Sequence, residues 1–367
     1  KSLLEVRDGK SFLDIAVQQV LAARQRWGVR LPLLLLDSFN TREDTLAALA
    51  AYPDLPVEDL PLDVLQSQEP KLRVDDLTPV EMPDPRLEWC PPGHGDLYPT
   101  LLDSGVLDQL IDRGFRYANV SNSDNLGAAP NAALAAWFAA SGAPYAAEVC
   151  VRTAMDRKGG HLAIRKSDNR LILRDTAQTA PEEMHYFTDE FHHPYFHTNN
   201  LWFDLAALRD LLTERHGVLG LPLIRNVKTA DPKDPTTPEV YQIETAMGAA
   251  VEVFEGAQAI AVPRGRFLPV KTTNELLLLR SDVYQLADDG ALTMVPEAAP
   301  VVTLGGHYKK IADFEARFPA GAPSLKEARS LKVEGDWTFG ADVRVSGDVT
   351  LEDTGTQETV PDGTVLD

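Results

Sequence analysis

Cysteine is scarce, basic residues are outnumbered, and long apolar runs are missing. The two cysteines, Cys90 and Cys150, lie far apart without metal-ligand spacing; they could pair only if the fold juxtaposed them, and a reduced, cytoplasmic chain is expected. No stretch approaches the roughly 18 uninterrupted apolar residues of a membrane-spanning helix, so no membrane partner is expected. With 35 Lys and Arg against 55 Asp and Glu, the formal charge is −20. That balance lacks the basic field a nucleic-acid surface needs, and any anionic substrate must be met by local lysines. Also missing are an initiator methionine and the charged and apolar regions of a signal peptide; a chain opening on Lys1-Ser-Leu-Leu-Glu-Val reads as a piece of a longer one.

What is present is long and well patterned. At 367 residues the chain exceeds the usual single-core limit of about 250 to 300, which favours one large unit and a smaller one. Leu13, Ile15, Ala16, Val20 and Leu21 fall on helical spacing between about Ser11 and Trp27. The apolar run Leu31 to Leu36 has the character of a strand buried on both faces, and the turn DSFNT leads into a helix capped at Asn40 or Thr41. The pattern repeats, with helix at Leu101 to Asp112, strand at Phe115 to Val120, helix at Asn131 to Ala140 and strand at Ala147 to Arg152. Such alternation predicts an α/β fold with a mixed, mostly parallel sheet flanked by helices, and ligands at the carboxyl ends of strands.

Four polar stretches interrupt this pattern. In the first, SNSDN, Asp124 offers a hard oxygen suited to Mg²⁺ between Asn122 and Asn125, although Asx turns use the same residues for purely local bonds. In the second, PPGHGD, glycines allow close backbone approach and His94 can donate to a phosphate or carbonyl oxygen; a tight turn with a surface histidine has the same composition. The third, HTNNLW, presents the amides Asn199 and Asn200, suited to sugar hydroxyls or to an internally bonded turn. The fourth, FLPVKTT, puts Lys271 at a strand end, where it either neutralises phosphate or snorkels to water.

Taken in order, KSLLEV, FLDIAVQQ, DSFNT, PPGHGD, SNSDNLGA, KGG, TNNLW, QIETAMGAA and RFLPVKTT resemble one family: the eukaryotic-type UTP–glucose-1-phosphate uridylyltransferases. The resemblance implies a Rossmann-like, GT-A-like nucleotidyltransferase fold over residues 1–325. It implies transfer of uridylyl from UTP to glucose 1-phosphate, giving UDP-glucose and pyrophosphate, with Mg²⁺ as cofactor. By the same resemblance Gln66 and Gly93 hold the uracil, His94 and Asn122 face the sugar phosphate, and Asp124 binds the metal beside the nucleotide. Asn199 and Asn200 line the glucose site, Glu244 meets a sugar hydroxyl, Lys271 is the catalytic lysine and Lys1 binds phosphate. Lys158 and Lys228 stand where further pocket lysines are expected. The family's glycine-rich nucleotide loop precedes KSLLEV and is expected upstream of Lys1. Abundant alanine suggests a bacterial source with a GC-rich genome. Alternatives are a relative using galactose 1-phosphate, several sugar phosphates or an N-acetylhexosamine 1-phosphate, a hexapeptide-repeat acyltransferase, for which too few coils are present, and a scaffold, should the loop be absent.

Two further segments carry expectations. His185, His192, His193 and His197 are irregularly spaced without cysteine, which argues against zinc, and the proline-rich Lys228 to Glu239 stretch reads as a mobile loop beside the pocket. From about Ser330, Val333, Phe339, Val345 and Leu351 recur every six residues, the period of a β-helix. A small C-terminal left-handed β-helix over 326–367 is expected, with homo-oligomer formation through it implied by the family.

Overall fold

The computed structural model describes residues 1–152, 156, 159–176 and 179–367; Lys158, in the KGG stretch, lies outside the described residues. Two compact units interleave along the chain. One comprises Lys1–Val29, Asn122–Ala129 and Gly265–Asp367, the other Arg30–Ser121 and Pro130–Arg264. The expected boundary at 325/326 does not coincide with this packing, because Val333, Phe339 and Leu351 share one apolar cluster with Phe12, Ile15 and Leu276.

In the first unit the helix predicted from apolar spacing is present as Phe12–Trp27. Its start is closed reciprocally: the Asp14 N–H donates to the Ser11 hydroxyl at 3.2 Å and the Ser11 N–H to the Asp14 carboxylate at 2.8 Å. The Gln19 amide reaches from this helix to the Leu126 and Gly290 carbonyls, at 2.9 and 2.8 Å, and so anchors the SNSDNLG segment. Toward the C-terminus, strands Val301–Leu304, Ser324–Val333, Arg344–Leu351 and Val365–Leu366 lie side by side, all parallel, with Trp337–Phe339 parallel to Glu358–Val360. Val333 pairs with Leu351, and Phe339 with Val360. A chain that repeatedly returns parallel to itself over so short a path must coil, and the six-residue series Val333, Phe339, Val345 and Leu351 is buried at every position.

The second unit centres on a four-stranded sheet in the order Gln258–Ala261, Tyr145–Val151, Tyr195–Asp204, Tyr117–Val120. Its first pair is parallel and the other two are antiparallel, which corrects the expectation of a mostly parallel sheet here. The reason lies in the connection. After Tyr145–Val151 the chain makes the hairpin His161–Ile164 with Leu171–Arg174 and the helical turn Met184–Phe187, then re-enters the sheet in the opposite direction. Apolar composition records burial but carries no strand direction.

Three other expectations shift. Only Leu35–Asp37 of the leucine run forms a strand, parallel to Asp63–Leu65, and the leucines are half-buried. The single helix expected over Leu101 to Asp112 is two, Leu97–Asp103 and Val106–Asp112, broken where Gly105 enters the left-handed region. Lys228 and Thr229 belong to a strand, Leu223–Thr229, hairpinned with Glu239–Thr245, and the connection is stitched by Ala230 N–H to Pro238 O at 2.9 Å and Asp231 N–H to Thr237 Oγ1 at 3.0 Å. Tyr98, Tyr145, Leu201, Phe203 and Leu208 form the core beneath the sheet. Cys90 and Cys150 are buried and unbridged, and no helix among the described residues is long and apolar enough to cross a membrane.

Candidate active site

Within the second unit, the PPGHGD loop docks against the end of the Glu239–Thr245 strand. The Thr245 N–H donates to Pro92 O at 2.9 Å. Gly93, at φ +82°, lies so close that a Cβ there would sit 2.7 Å from the Thr245 carbonyl and 2.9 Å from Glu244 Cβ. Only glycine brings this loop against Glu244. The next residue, His94, accepts the Met247 N–H on Nδ1 at 3.0 Å. Burial lowers its pKa, so the ring is neutral at pH 7 with its proton on Nε2. With Nδ1 accepting, Nε2 is the ring's donor. Asp96 closes the loop by accepting the Ser67 N–H at 2.8 Å and the Thr100 hydroxyl at 2.9 Å. Next to Ser67, the Gln66 N–H donates to Asp37 O at 2.8 Å. Asp96 thus holds the Gln66 segment beside the PPGHGD loop, a role that sequence reasoning missed.

The HTNNLW segment owes its form to a bulge. The Tyr195–Asp204 strand pairs with Tyr145–Val151 at both ends, but the register slips between His197 and Leu201, and Asn199 takes φ +63°. Around that break, Glu148 collects donors: the Asn200 amide at 3.0 Å and the Trp202 indole at 2.9 Å reach its carboxylate, and the Thr198 hydroxyl reaches its carbonyl at 2.8 Å. Glu148 and Asn200 are both 0% exposed. Of the two asparagines, Asn200 therefore serves the interior frame, while Asn199 stays half-buried at the bulge. Lys228 does not join Glu244. It is exposed and pairs with Val240, four positions along the hairpin from the Ile224–Glu244 pair, or about 13 Å at strand rise.

The first unit gathers charge. At the SNSDN turn, closed by Asn125 N–H to Asn122 O at 3.0 Å, Asp124 accepts from Lys1 Nζ at 2.5 Å. Asn125 is buried and clamps this turn to the chain leading to Lys271, donating to Arg266 O at 3.1 Å and accepting the Leu268 N–H at 2.7 Å. Lys271, Lys1 and Lys309 line an open concavity of about 470 Å³ with Thr272 and Thr273. Lys309 was missed; its only signal is its place in GGHYKK, a glycine turn followed by paired lysines. A second hollow, about 580 Å³ beside Arg42 and Asp63, contains none of the predicted residues, and its cation, Arg42, already pairs with Asp63 at 2.6 Å.

The other histidines have partners of their own. His192 Nδ1 lies 2.7 Å from Asp189 Oδ2, His193 stacks on His161 with centroids 3.9 Å apart, and His185 lies against Tyr186.

Comparison with known proteins decides the family. The family model described as UTP--glucose-1-phosphate uridylyltransferase matches residues 1–346. The chain belongs to this uridylyltransferase family. It is 38% identical to the UTP--glucose-1-phosphate uridylyltransferase of Solanum tuberosum, over 100% of this chain and 76% of the relative, and 37% identical to that of Saccharomyces cerevisiae, over 100% and 73%. Among solved structures, UDP-glucose phosphorylase from Trypanosoma brucei superposes with TM-score 0.93 at 42% identity, covering 100% of this chain and 80% of that one. A Leishmania major UDP-glucose pyrophosphorylase mutant in complex with UDP-glucose gives TM-score 0.91 at 43% identity, with the same coverage. In this uridylyltransferase chain, the residues named from sequence fall into local groups: Gly93, His94 and Glu244 in one unit, and Lys1, Asp124 and Lys271 in the other, with Lys228 set apart on its hairpin.

Proposed function

We propose that this chain transfers the uridylyl group of UTP to glucose 1-phosphate, releasing pyrophosphate and forming UDP-glucose. The observation that carries this reading is the family match over residues 1–346. In the reaction an oxygen of the sugar phosphate attacks the α-phosphorus of UTP, a P–O bond forms in line, and the bond to the β-phosphate breaks. The nucleophile is already an anion at neutral pH, so no general base is needed. Positioning and charge stabilisation therefore carry the rate.

Lys271 is assigned to the developing phosphoryl charge, with Lys1 and Lys309 as further cations at its concavity. His94 donates from Nε2 to the sugar phosphate, as its acceptor Nδ1 dictates, with Asn122 as the amide on that group. Asn199 and Glu244 contact sugar hydroxyls, with Asn200 holding the strand behind them, and Gln66 and Gly93 receive the uracil. Lys228, exposed on its hairpin, is assigned a peripheral phosphate contact. A divalent ion would be held by Asp124. Among the described residues no cluster of three His, Cys, Asp or Glu exists, and a single carboxylate completed by phosphate oxygens suits Mg²⁺ better than a metal needing an all-protein cage. When bound, Mg²⁺ supplies neutralisation of phosphate charge.

Residues 326–367 are read as a left-handed β-helix, which the parallel stacking and the buried six-residue series support, and as a surface for homo-oligomer formation; a cytoplasmic location goes with this chemistry. The test is pyrophosphate release with UTP and Mg²⁺ from glucose 1-phosphate, galactose 1-phosphate and N-acetylglucosamine 1-phosphate in parallel. Strong preference for glucose 1-phosphate is expected; release from none of them overturns the reading.

A further inference from the structure

The HTNNLW bulge contains a histidine to which the reaction assigns no role. His197 stands at the residue where the strand register is lost, two positions before the left-handed Asn199. An asparagine at positive φ tolerates that conformation better than most residues, yet holding it within a strand still needs a restraint. His197 supplies one: its Nδ1 accepts the Asn199 N–H at 3.1 Å. We propose that His197 is a positioning residue of the sugar-phosphate pocket, its Nδ1 clamping the Asn199 N–H so that the bulge presents the Asn199 amide in one orientation.

Three independent features support the clamp. The ring is seated against the Met247–Glu252 turn, which also donates to His94: a Cβ on Gly248 would lie 2.7 Å from His197 Cε1 and 3.3 Å from Asn199 Oδ1, so the turn, the imidazole and the amide meet at one point. Met247, next to Gly248, donates its N–H to His94 Nδ1. The same turn thus meets both imidazoles, His94 through the Met247 N–H and His197 by contact at Gly248, while the His197 Nδ1 takes its own backbone donor from Asn199. Finally, burial and the neighbouring His94 hold the His197 pKa down to about 4, so the accepting lone pair persists at physiological pH. His197 Nε2 is buried without a hydrogen-bond partner, which makes Nδ1, rather than Nε2, the ring's bonded atom.

The inference rests on the reading of Asn199 as a sugar contact, and the experiment separates the two. Asparagine places its side-chain oxygen where Nδ1 stands, whereas glutamine reaches only the position of Nε2. Steady-state kinetics of the whole chain, together with UDP-glucose titration by calorimetry, would compare His197→Asn, His197→Gln and His197→Ala with Asn199→Ala. The expected result is a KM for glucose 1-phosphate within about threefold of wild type for His197→Asn. It should rise about tenfold or more for His197→Gln and His197→Ala, with the KM for UTP and the melting temperature little changed. Normal KM values in His197→Ala, or rescue by glutamine but not by asparagine, would overturn the clamp. If instead Asn199→Ala itself leaves the KM for glucose 1-phosphate unchanged, the sugar-contact reading is what has failed.

Discussion

The two units prepare their candidate groups in opposite ways. In the unit carrying Gly93, His94, Asn199 and Glu244, candidate side chains and their neighbours are held by hydrogen bonds: His94 accepts the Met247 N–H, His197 accepts the Asn199 N–H, and Glu148 accepts from the Asn200 amide and the Trp202 indole. In the unit carrying Lys1, Asp124 and Lys271, charge lies at exposed ends, with the Lys1 side chain 48% exposed in its pair with Asp124. Neutral groups that read sugar hydroxyls must be aimed, because a hydrogen bond weakens steeply with angle. Charges that offset phosphates need proximity more than angle, and a flexible ammonium supplies it.

That contrast can be broken from the charged side first. Lys271→Ala should lower kcat by about 10²- to 10³-fold with an unchanged melting temperature; near-normal turnover would remove Lys271 from the mechanism. On the aimed side the largest effect should be on folding. Glu148→Ala strands the buried Asn200 amide and Trp202 indole, and chemical denaturation should show a loss of about 2–5 kcal/mol, where an unchanged midpoint would mean that the network relaxes.

Acid should also separate the regions. His161 is 0% exposed and its pKa is held down to about 4 by burial and by the stacked His193. The folded value lies below the unfolded value of about 6.5, so its contribution is full above pH 6.5 and is lost as pH falls toward 4. That loss is on the order of 3 kcal/mol. Hydrogen exchange between pH 6.5 and 4.5 should loosen the His161–Ile164 hairpin first, and His161→Phe should flatten the response. Gly93→Ala, with its Cβ 2.7 Å from the Thr245 carbonyl, should cost about 1–3 kcal/mol and raise the KM for UTP. The smallest effect should come from Asp124→Asn, which removes the partner of Lys1 and should raise the Mg²⁺ concentration for half-maximal rate about tenfold; identical metal dependence would point to another ligand.

Legibility in the sequence followed the range of the interactions. The Phe12–Trp27 helix and the six-residue series were readable because their signals, Ser11 with Asp14 and an apolar residue every sixth position, are local. His94, Asp124 and Lys271 were singled out as candidates because they sit in distinctive short motifs. The antiparallel return of Tyr195–Asp204 was not, since an apolar strand reads the same in either direction. Neither was the split between Asn199 and Asn200, adjacent letters with opposite fates, because that depends on Glu148 from another strand. Asp96 and Lys309 were overlooked for the same reason: their partners, Ser67 and the Lys1–Lys271 concavity, are distant in the chain.

Sequence by itself determined the family, the residue types able to offset phosphate charge or bond sugar hydroxyls, and the helices and buried periodicities, all of which arise from neighbours within a few residues. Tertiary structure alone decided which nitrogen of His94 is left to donate, which asparagine faces inward and how the strands run. Those choices are made by hydrogen bonds between segments up to 153 residues apart, as between Met247 and His94, and no local pattern encodes them.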